Sequence, residues 1–243
     1  MRFRSPPPRP GRALTVVAAI VAVAGIVNCA TYPSGARDGI LGGTLSPTSM
    51  RVASRTHATL SEIMSKAPGT YIDRLLADRD STIERWPDRG VNHPLRIWID
   101  SSNTIAGAQS GFPAAVRDAF TEWATTGIPL RFMYVASSRD ADIRVKWTDH
   151  LDHKTGSTTW RTDRNGWLTG GDITLATHIS DGHSLDSRGM RAIALHEVGH
   201  ALGMSHSIDS HDIMAPLVRV DGLSVPDRNT VKLLYTLPAG PVP

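Results

Sequence analysis

His196-Glu197-Val198-Gly199-His200-Ala201-Leu202-Gly203-Met204-Ser205-His206 is the stretch from which the rest of the chain can be read. On a helix, side chains four positions apart lie about 40° apart around the axis and one turn along it. The imidazoles of His196 and His200 can therefore reach one metal ion at about 2.0–2.1 Å. Glu197 sits beside the first of them but is turned aside, towards a metal-bound water rather than the metal. Gly203 suits the sharp turn that must follow, because glycine enters left-handed conformations without a Cβ clash. His206 then arrives as a third nitrogen ligand. Three nitrogens with one position open describe a catalytic zinc site, not a closed structural one. Such a pattern arises by chance in a chain of this length with odds on the order of one in ten thousand.

Upstream, the spacing predicts that this helix starts at Asp186 or Ser187 and runs to Leu202, with Leu195, Val198 and Leu202 as its core stripe. Leu95, Ile97 and Ile99 alternate with Arg96, Trp98 and Asp100, a strand period. Pro113 opens a helix that turns Val116, Ala119, Phe120 and Trp123 to one face and ends at Gly127. Further strands are expected at Leu130–Val135, at Ile143–Trp147, over Thr158–Arg161 and over Asp172–Thr177. A last helix covers Asp227 to Tyr235, with Val231 and Leu234 inward. Before all of these, residues 51–67 suit a short helix of mixed character. Tyr71, Leu75, Leu76, Ile83 and Trp86 suggest another helix, from Tyr71 to Glu84, ended by Trp86-Pro87. A strand-helix-strand start favours a partly parallel twisted sheet with helices packed on it, an α+β arrangement.

The N-terminus reads differently. Arg2, Arg4, Arg9 and Arg12 precede the apolar run Ala13–Val27, the charged and apolar regions of an export signal. The run is short for a bilayer span, which takes about 20 residues. Cys29 follows it directly, as in a lipid-attachment box, although Asn28 stands where that pattern wants a small residue. Three fates stay open: cleavage, lipidation at Cys29, or retention as an anchor. All of them put the domain outside the cytoplasm, secreted or attached to the cell surface. The chain thus divides into residues 1–30, export signal or anchor; 31–70, a Gly/Ser/Thr/Pro-rich linker or pro-segment; and 71–243, the catalytic domain. The 26 basic and 23 acidic residues nearly balance, which argues against nucleic acid as a partner. A single cysteine excludes an intrachain disulfide framework and a thiolate-rich metal site.

The motif resembles that of the metzincin zinc peptidases. The residues after it, Ser207-Ile208-Asp209-Ser210-His211-Asp212-Ile213-Met214-Ala215-Pro216, look like the matrixin branch, with Met214 in the register of the family's methionine turn. Val116–Phe120 with Trp123, Pro129–Phe132, Ala141–Val145 and Leu234-Tyr235 also resemble matrixin elements, so the likeness covers about Arg89 to Tyr235. It implies the zincin fold: a twisted, mostly parallel sheet of four to five strands on an active-site helix, with a C-terminal helix. It implies a zinc endopeptidase with His196, His200 and His206 as ligands, Glu197 as general base, and Met214 as a hydrophobic floor beneath the imidazoles. A protein or peptide substrate would lie extended along the edge Gly156–Trp160. Pro216-Leu217-Val218 would wall the main specificity pocket, with an apolar residue preferred after the cleaved bond. Val218 stands where many relatives carry an aromatic residue.

Departures qualify the likeness. Matrixins hold a structural zinc through a histidine and aspartate two apart and two later histidines. His150-Leu151-Asp152 keeps the first pair, but Thr174 occupies a ligand position, so this second zinc is not expected. His150, His153, His178 and His183 are then ordinary solvated loop residues. Calcium stays open, since no acidic cluster has the spacing of a dedicated loop. The family's propeptide cysteine has no counterpart, Cys29 lying in the signal region. A monomer is expected. Two further readings remain: a zinc-bearing surface protein that no longer cleaves, and a hydrolase of cell-wall amide bonds.

Overall fold

The computed structural model describes residues 59–102 and 104–243, together with the pair Ala19–Ile20. The export-signal reading, Cys29 included, and the linker reading up to residue 58 lie outside the described residues, apart from Ala19–Ile20 (β1), whose backbone pairs antiparallel with Leu217–Val218 (β8). Two short helices come first, Leu60–Ser65 (α1) and Ile72–Asp78 (α2). Thr59 and Glu62 close a reciprocal capping box on α1. Ile63 on α1 is buried in the same core as the rest of the fold.

The helix expected from Tyr71 to Glu84 is shorter than its apolar spacing suggests. Asp80 and Ser81 take positive φ values of 47° and 56°, which ends α2 at Asp78. Ser81 N–H donates to the Leu76 carbonyl at 2.8 Å. The chain then extends as Thr82–Ile83 (β2) and pairs with Gly240–Pro241 (β9) near the C-terminus. Ile83 and Trp86 are buried as their apolar character requires, from a strand and a loop instead of a helix.

The main sheet has five strands: Leu95–Ile99 (β3), Phe132–Tyr134 (β4), Ile143–Thr148 (β5), Gly156–Thr162 (β6) and Leu168–Ala176 (β7). Its order is β4-β3-β5-β7-β6, parallel throughout except for β6, which runs antiparallel at one edge. The α+β expectation of a mostly parallel sheet of four to five strands is met. Both strands of the β6–β7 pair are longer than their alternation suggested, because the hairpin continues through Gly170 and Gly171, which carry no apolar signal.

Phe112–Ala124 (α3) and Ser187–Ala201 (α4) pack on each other and on the sheet. The Trp123 indole N–H donates to the Leu195 carbonyl at 2.8 Å, locking the two helices together. Leu195, Val198 and Leu202 are all buried. The last helix, Val225–Thr236 (α5), starts two residues earlier than its apolar spacing shows. Ser224 and Asp227 form a capping box there, with Pro226 in the first turn.

Gly203 ends the zinc-motif helix with φ +99°, and a Cβ at that position would collide with the Glu84 carbonyl oxygen. Both the conformation and the space demand glycine. Gly203→Ala is expected to cost about 1–3 kcal/mol of stability. A lower urea midpoint at unchanged m-value would register the loss; an unchanged midpoint would contradict it.

Candidate metal centre

The helix does what the spacing promised. His196 and His200, one turn apart on α4, bring their Nε2 atoms to 3.0 Å of each other, and His206 Nε2 lies 3.2 Å from that of His200. Four ligands at about 2.0–2.1 Å in a tetrahedron sit about 3.3–3.4 Å apart, so these separations fit one zinc ion. The rings of His196 and His200 are tilted by 80°, and those of His200 and His206 by 79°, so the nitrogens converge without the rings stacking.

The opposite ring nitrogens are held by backbone carbonyls. His196 Nδ1 lies 2.7 Å from the Ile213 oxygen and His200 Nδ1 lies 2.9 Å from the Met204 oxygen. A carbonyl only accepts, so each Nδ1 carries the proton and each Nε2 presents a lone pair. Such lone pairs, meeting in a buried space, repel unless a cation lies between them. This donor set therefore fits zinc on the chain's own geometry.

Burial keeps the histidines neutral. It pulls His196 from the usual 6.5 down to about 3, takes His200 well below the usual value, and lowers the partly buried His206 as well. Glu197 responds in the opposite sense: burial pushes its carboxyl up to about 7, against a downward pull from the Thr158 hydroxyl. Thr158 Oγ1 lies 2.6 Å from Glu197 Oε2 and 3.0 Å from the Glu197 backbone oxygen. The other carboxyl oxygen, Oε1, is buried without a hydrogen-bond partner. A free oxygen on a buried carboxyl, carried by the same helix turn as His196 and His200, suits a reacting proton.

Two glycines create the room. A Cβ on Gly156, the first residue of β6, would collide with the Glu197 carboxylate. A Cβ on Gly199 would collide with the Met214 sulfur and come within 2.9 Å of the Trp123 ring. Met214 thus packs against α4 between the two histidine turns, fully buried. Its loop is tied to α5 through Asp227, which accepts from Ile213 N–H at 2.8 Å, from Ser224 N–H at 2.9 Å and from the Tyr71 hydroxyl at 2.7 Å. The Ile213 peptide links that carboxylate to the His196 ring. Of the residues singled out in the sequence, the structure brings the ring nitrogens of His196, His200 and His206 together, sets Met214 against Gly199 on the same helix, leaves Glu197 buried one residue from His196, and places Gly203 at the turn that follows α4, against Glu84. Sequence reading assigned none of these contacts to Gly156 and Thr158, named only as part of the edge strand, to Gly199, quoted only within the motif, or to Asp227, taken only as the start of the last helix.

The matrixin family model matches residues 95–236, more than half of the chain. The chain belongs to the matrixin family. Among curated relatives, it is similar to Metalloendoproteinase 1 of Glycine max, 26% identical over 145 residues that cover 51% of this chain and 45% of the relative. It is also similar to a probable matrix metalloproteinase, 095L, of Invertebrate iridescent virus 3, 33% identical over 56% of this chain and 38% of that protein. Matrix metalloproteinase-17 of Homo sapiens is 37% identical over 98 residues, 36% of this chain and 16% of its own. This matrixin spans less than half the length of each of these relatives.

The site electrostatics of this matrixin set a pH dependence. The histidines have lowered folded values, so their contribution is intact above 6.5 and falls away as pH drops, for His196 towards about 3. Glu197 has a raised value, so its contribution runs the other way, being lost as pH rises from 4.5 through about 7. Three imidazoles outweigh one carboxyl. Metal-free protein is expected to lose stability steadily as pH falls below 6.5, read from thermal midpoints in chelator. A flat profile between pH 6.5 and 4.5 would mean that the imidazoles are not held neutral.

Proposed function

We propose that this matrixin is an exported zinc-dependent endopeptidase that cleaves extracytoplasmic proteins, with zinc on His196, His200 and His206 and Glu197 as the general base. The observation that carries the reading is the convergence of three Nε2 atoms, with His196 and His200 held in the Nδ1–H tautomer, on the helix that carries Glu197, whose buried Oε1 has no partner among the described residues. Zinc, when bound, supplies Lewis acidity that polarises the scissile carbonyl and acidifies a water towards about pH 7.

The chain's own groups do the rest. Glu197 Oε1 takes a proton from the attacking water and later passes it to the leaving amine. Thr158, bonded to Oε2, holds the carboxyl with Oε1 turned to the reaction. Strand β6 pairs with β7 on one side and, among the described residues, has no sheet partner on the other, so an extended peptide can add to it. Gly156 lets that edge come close to Glu197. Val218 is buried, and with Leu217 and Pro216 it lines the wall against which the residue after the cleaved bond would pack. An apolar side chain is expected there.

Export rests on the arginine-flanked apolar run before Cys29. Among the described residues, no helix is long and apolar enough to cross a membrane. Residues 31–70 serve as linker or pro-segment on this reading, with residues 71–243 as the catalytic domain.

Glu197→Gln is expected to keep zinc at the wild-type level while peptide cleavage falls about 10²–10⁴-fold or more. Metal analysis and a peptide-digest assay on the same preparation decide it, and retained cleavage would overturn the role. Thr158→Val tests the positioning. Removing a hydrogen bond to a charged partner is worth about 1.5–3 kcal/mol, so kcat is expected to fall about 10–100-fold with KM little changed. A change in KM alone would assign Thr158 to substrate binding instead.

A further inference from the structure

Residues 71–86 precede the stretch that the matrixin family model matches, residues 95–236, yet they touch the zinc centre repeatedly. Ile72, Leu75, Leu76, Ile83 and Trp86 bury them in the common core. The Trp86 indole N–H donates to the Ala201 carbonyl at 2.8 Å. The Glu84 carbonyl fills the space that a Cβ on Gly203 would need. The segment is thus a strap across the C-terminal end of α4 and the turn that follows it. Tyr71 and Arg79, the two residues that flank α2, carry the polar contacts of this strap towards the histidines.

Arg79 has a side chain only 7% exposed. Its Nη1 donates to Glu84 Oε2 at 2.8 Å, and its guanidinium carbon lies 4.9 Å from the centroid of the Trp160 ring. The Trp160 indole N–H donates to the same Glu84 oxygen at 2.9 Å, so ring, carboxylate and guanidinium fix one another. Nη2 then lies 3.5 Å from the Met204 oxygen, the atom that accepts from His200 Nδ1 at 2.9 Å. A carbonyl has two lone pairs, and a fixed cation attracts its negative end even where the hydrogen bond is long. Burying a guanidinium is costly, so packing alone does not account for an arginine here.

Tyr71 serves the other histidine. Its backbone N–H donates to the Thr230 hydroxyl at 3.0 Å, and its own hydroxyl donates to Asp227 at 2.7 Å. Asp227 is fully buried and accepts the Ile213 N–H, while the Ile213 carbonyl accepts from His196 Nδ1. The two ends of one short helix therefore lead to the two imidazoles of α4, each through the residue whose carbonyl orients that ring.

We propose that Tyr71 and Arg79 are positioning residues of the zinc centre, steadying Ile213 and the Met204 carbonyl and, through them, the rings of His196 and His200. The inference rests on the zinc reading of α4. It extends the working centre of this chain ahead of the residues that the family model covers. Through Trp160, Arg79 also ties the zinc turn to β6, the edge to which a peptide would add.

The test measures zinc affinity of the full chain by competition with a chelating dye, beside thermal midpoints of the metal-free protein. Arg79→Gln is expected to bind zinc about 10-fold more weakly. Arg79→Lys, which keeps the charge but not the fork, is expected to recover part of that loss. Tyr71→Phe removes one oxygen and is expected to shift affinity in the same direction by less. Circular dichroism checks that each variant folds. Glu122→Gln is the control, because Glu122 accepts from Arg191 and Arg228 and joins α3 to α4 and α5. It is expected to lower the midpoint and leave zinc affinity unchanged. Wild-type affinity in the Arg79 and Tyr71 variants would overturn the proposal. So would an equal loss of affinity in Glu122→Gln, since the strap would then act through stability alone. Zinc affinity untouched by His206→Ala would overturn the α4 reading itself, and the proposal with it.

Discussion

Two contacts between imidazoles and backbone carbonyls underlie the centre: His196 Nδ1 to Ile213 and His200 Nδ1 to Met204. They set the tautomers, and the tautomers turn both Nε2 lone pairs to one point. Neither carbonyl belongs to α4. Each is delivered by a loop that must return to the helix, so much of the surrounding structure exists to return it. Gly203 makes the first return, threading beside the Glu84 carbonyl where a Cβ has no room. Asp227, buried at the start of α5, makes the second by accepting the Ile213 N–H.

Burying polar groups so densely is costly, and the structure offsets this where it can. Carbonyls near the ends and faces of α4 accept from aromatic donors: Ala201 from Trp86, Leu195 from Trp123 and Leu202 from the Tyr235 hydroxyl. These side chains fill the core and satisfy the backbone at once. Among the described residues, the buried side-chain atoms left without a partner are Arg89 Nε, Asp149 Oδ1 and Glu197 Oε1.

The fold was largely legible because its elements have strong periods. Strand β3 alternates cleanly, α3 carries a continuous apolar face, and α4 is written by the motif itself. The misreadings share a cause. Tyr71, Leu75, Leu76, Ile83 and Trp86 are all core residues, and apolar spacing cannot tell a helix that continues from one that ends and is followed by an extended segment. The left-handed turn at Asp80-Ser81 and the pairing of β2 with β9, from opposite ends of the domain, decided it. Likewise β7 runs through Gly170 and Gly171, which are strand because Arg161 of β6 pairs with Gly170, and Trp160 of β6 and Ile143 of β5 pair with Gly171 from either side.

What the amino-acid sequence alone determined was the α4 constellation, because a helix converts residue number into direction: His196, Glu197, His200, the Gly203 turn and His206 needed only local geometry. Tertiary structure decided what arrives from elsewhere in the chain. Thr158 and Gly156 reach Glu197 from an edge strand, Asp227 reaches the methionine loop from the last helix, and His178 meets Asp149 and His150 through parallel strand register. Spacing along the chain carries no information about such neighbours. Their positions follow from which strands pair and in what register, and packing settles that over the whole domain.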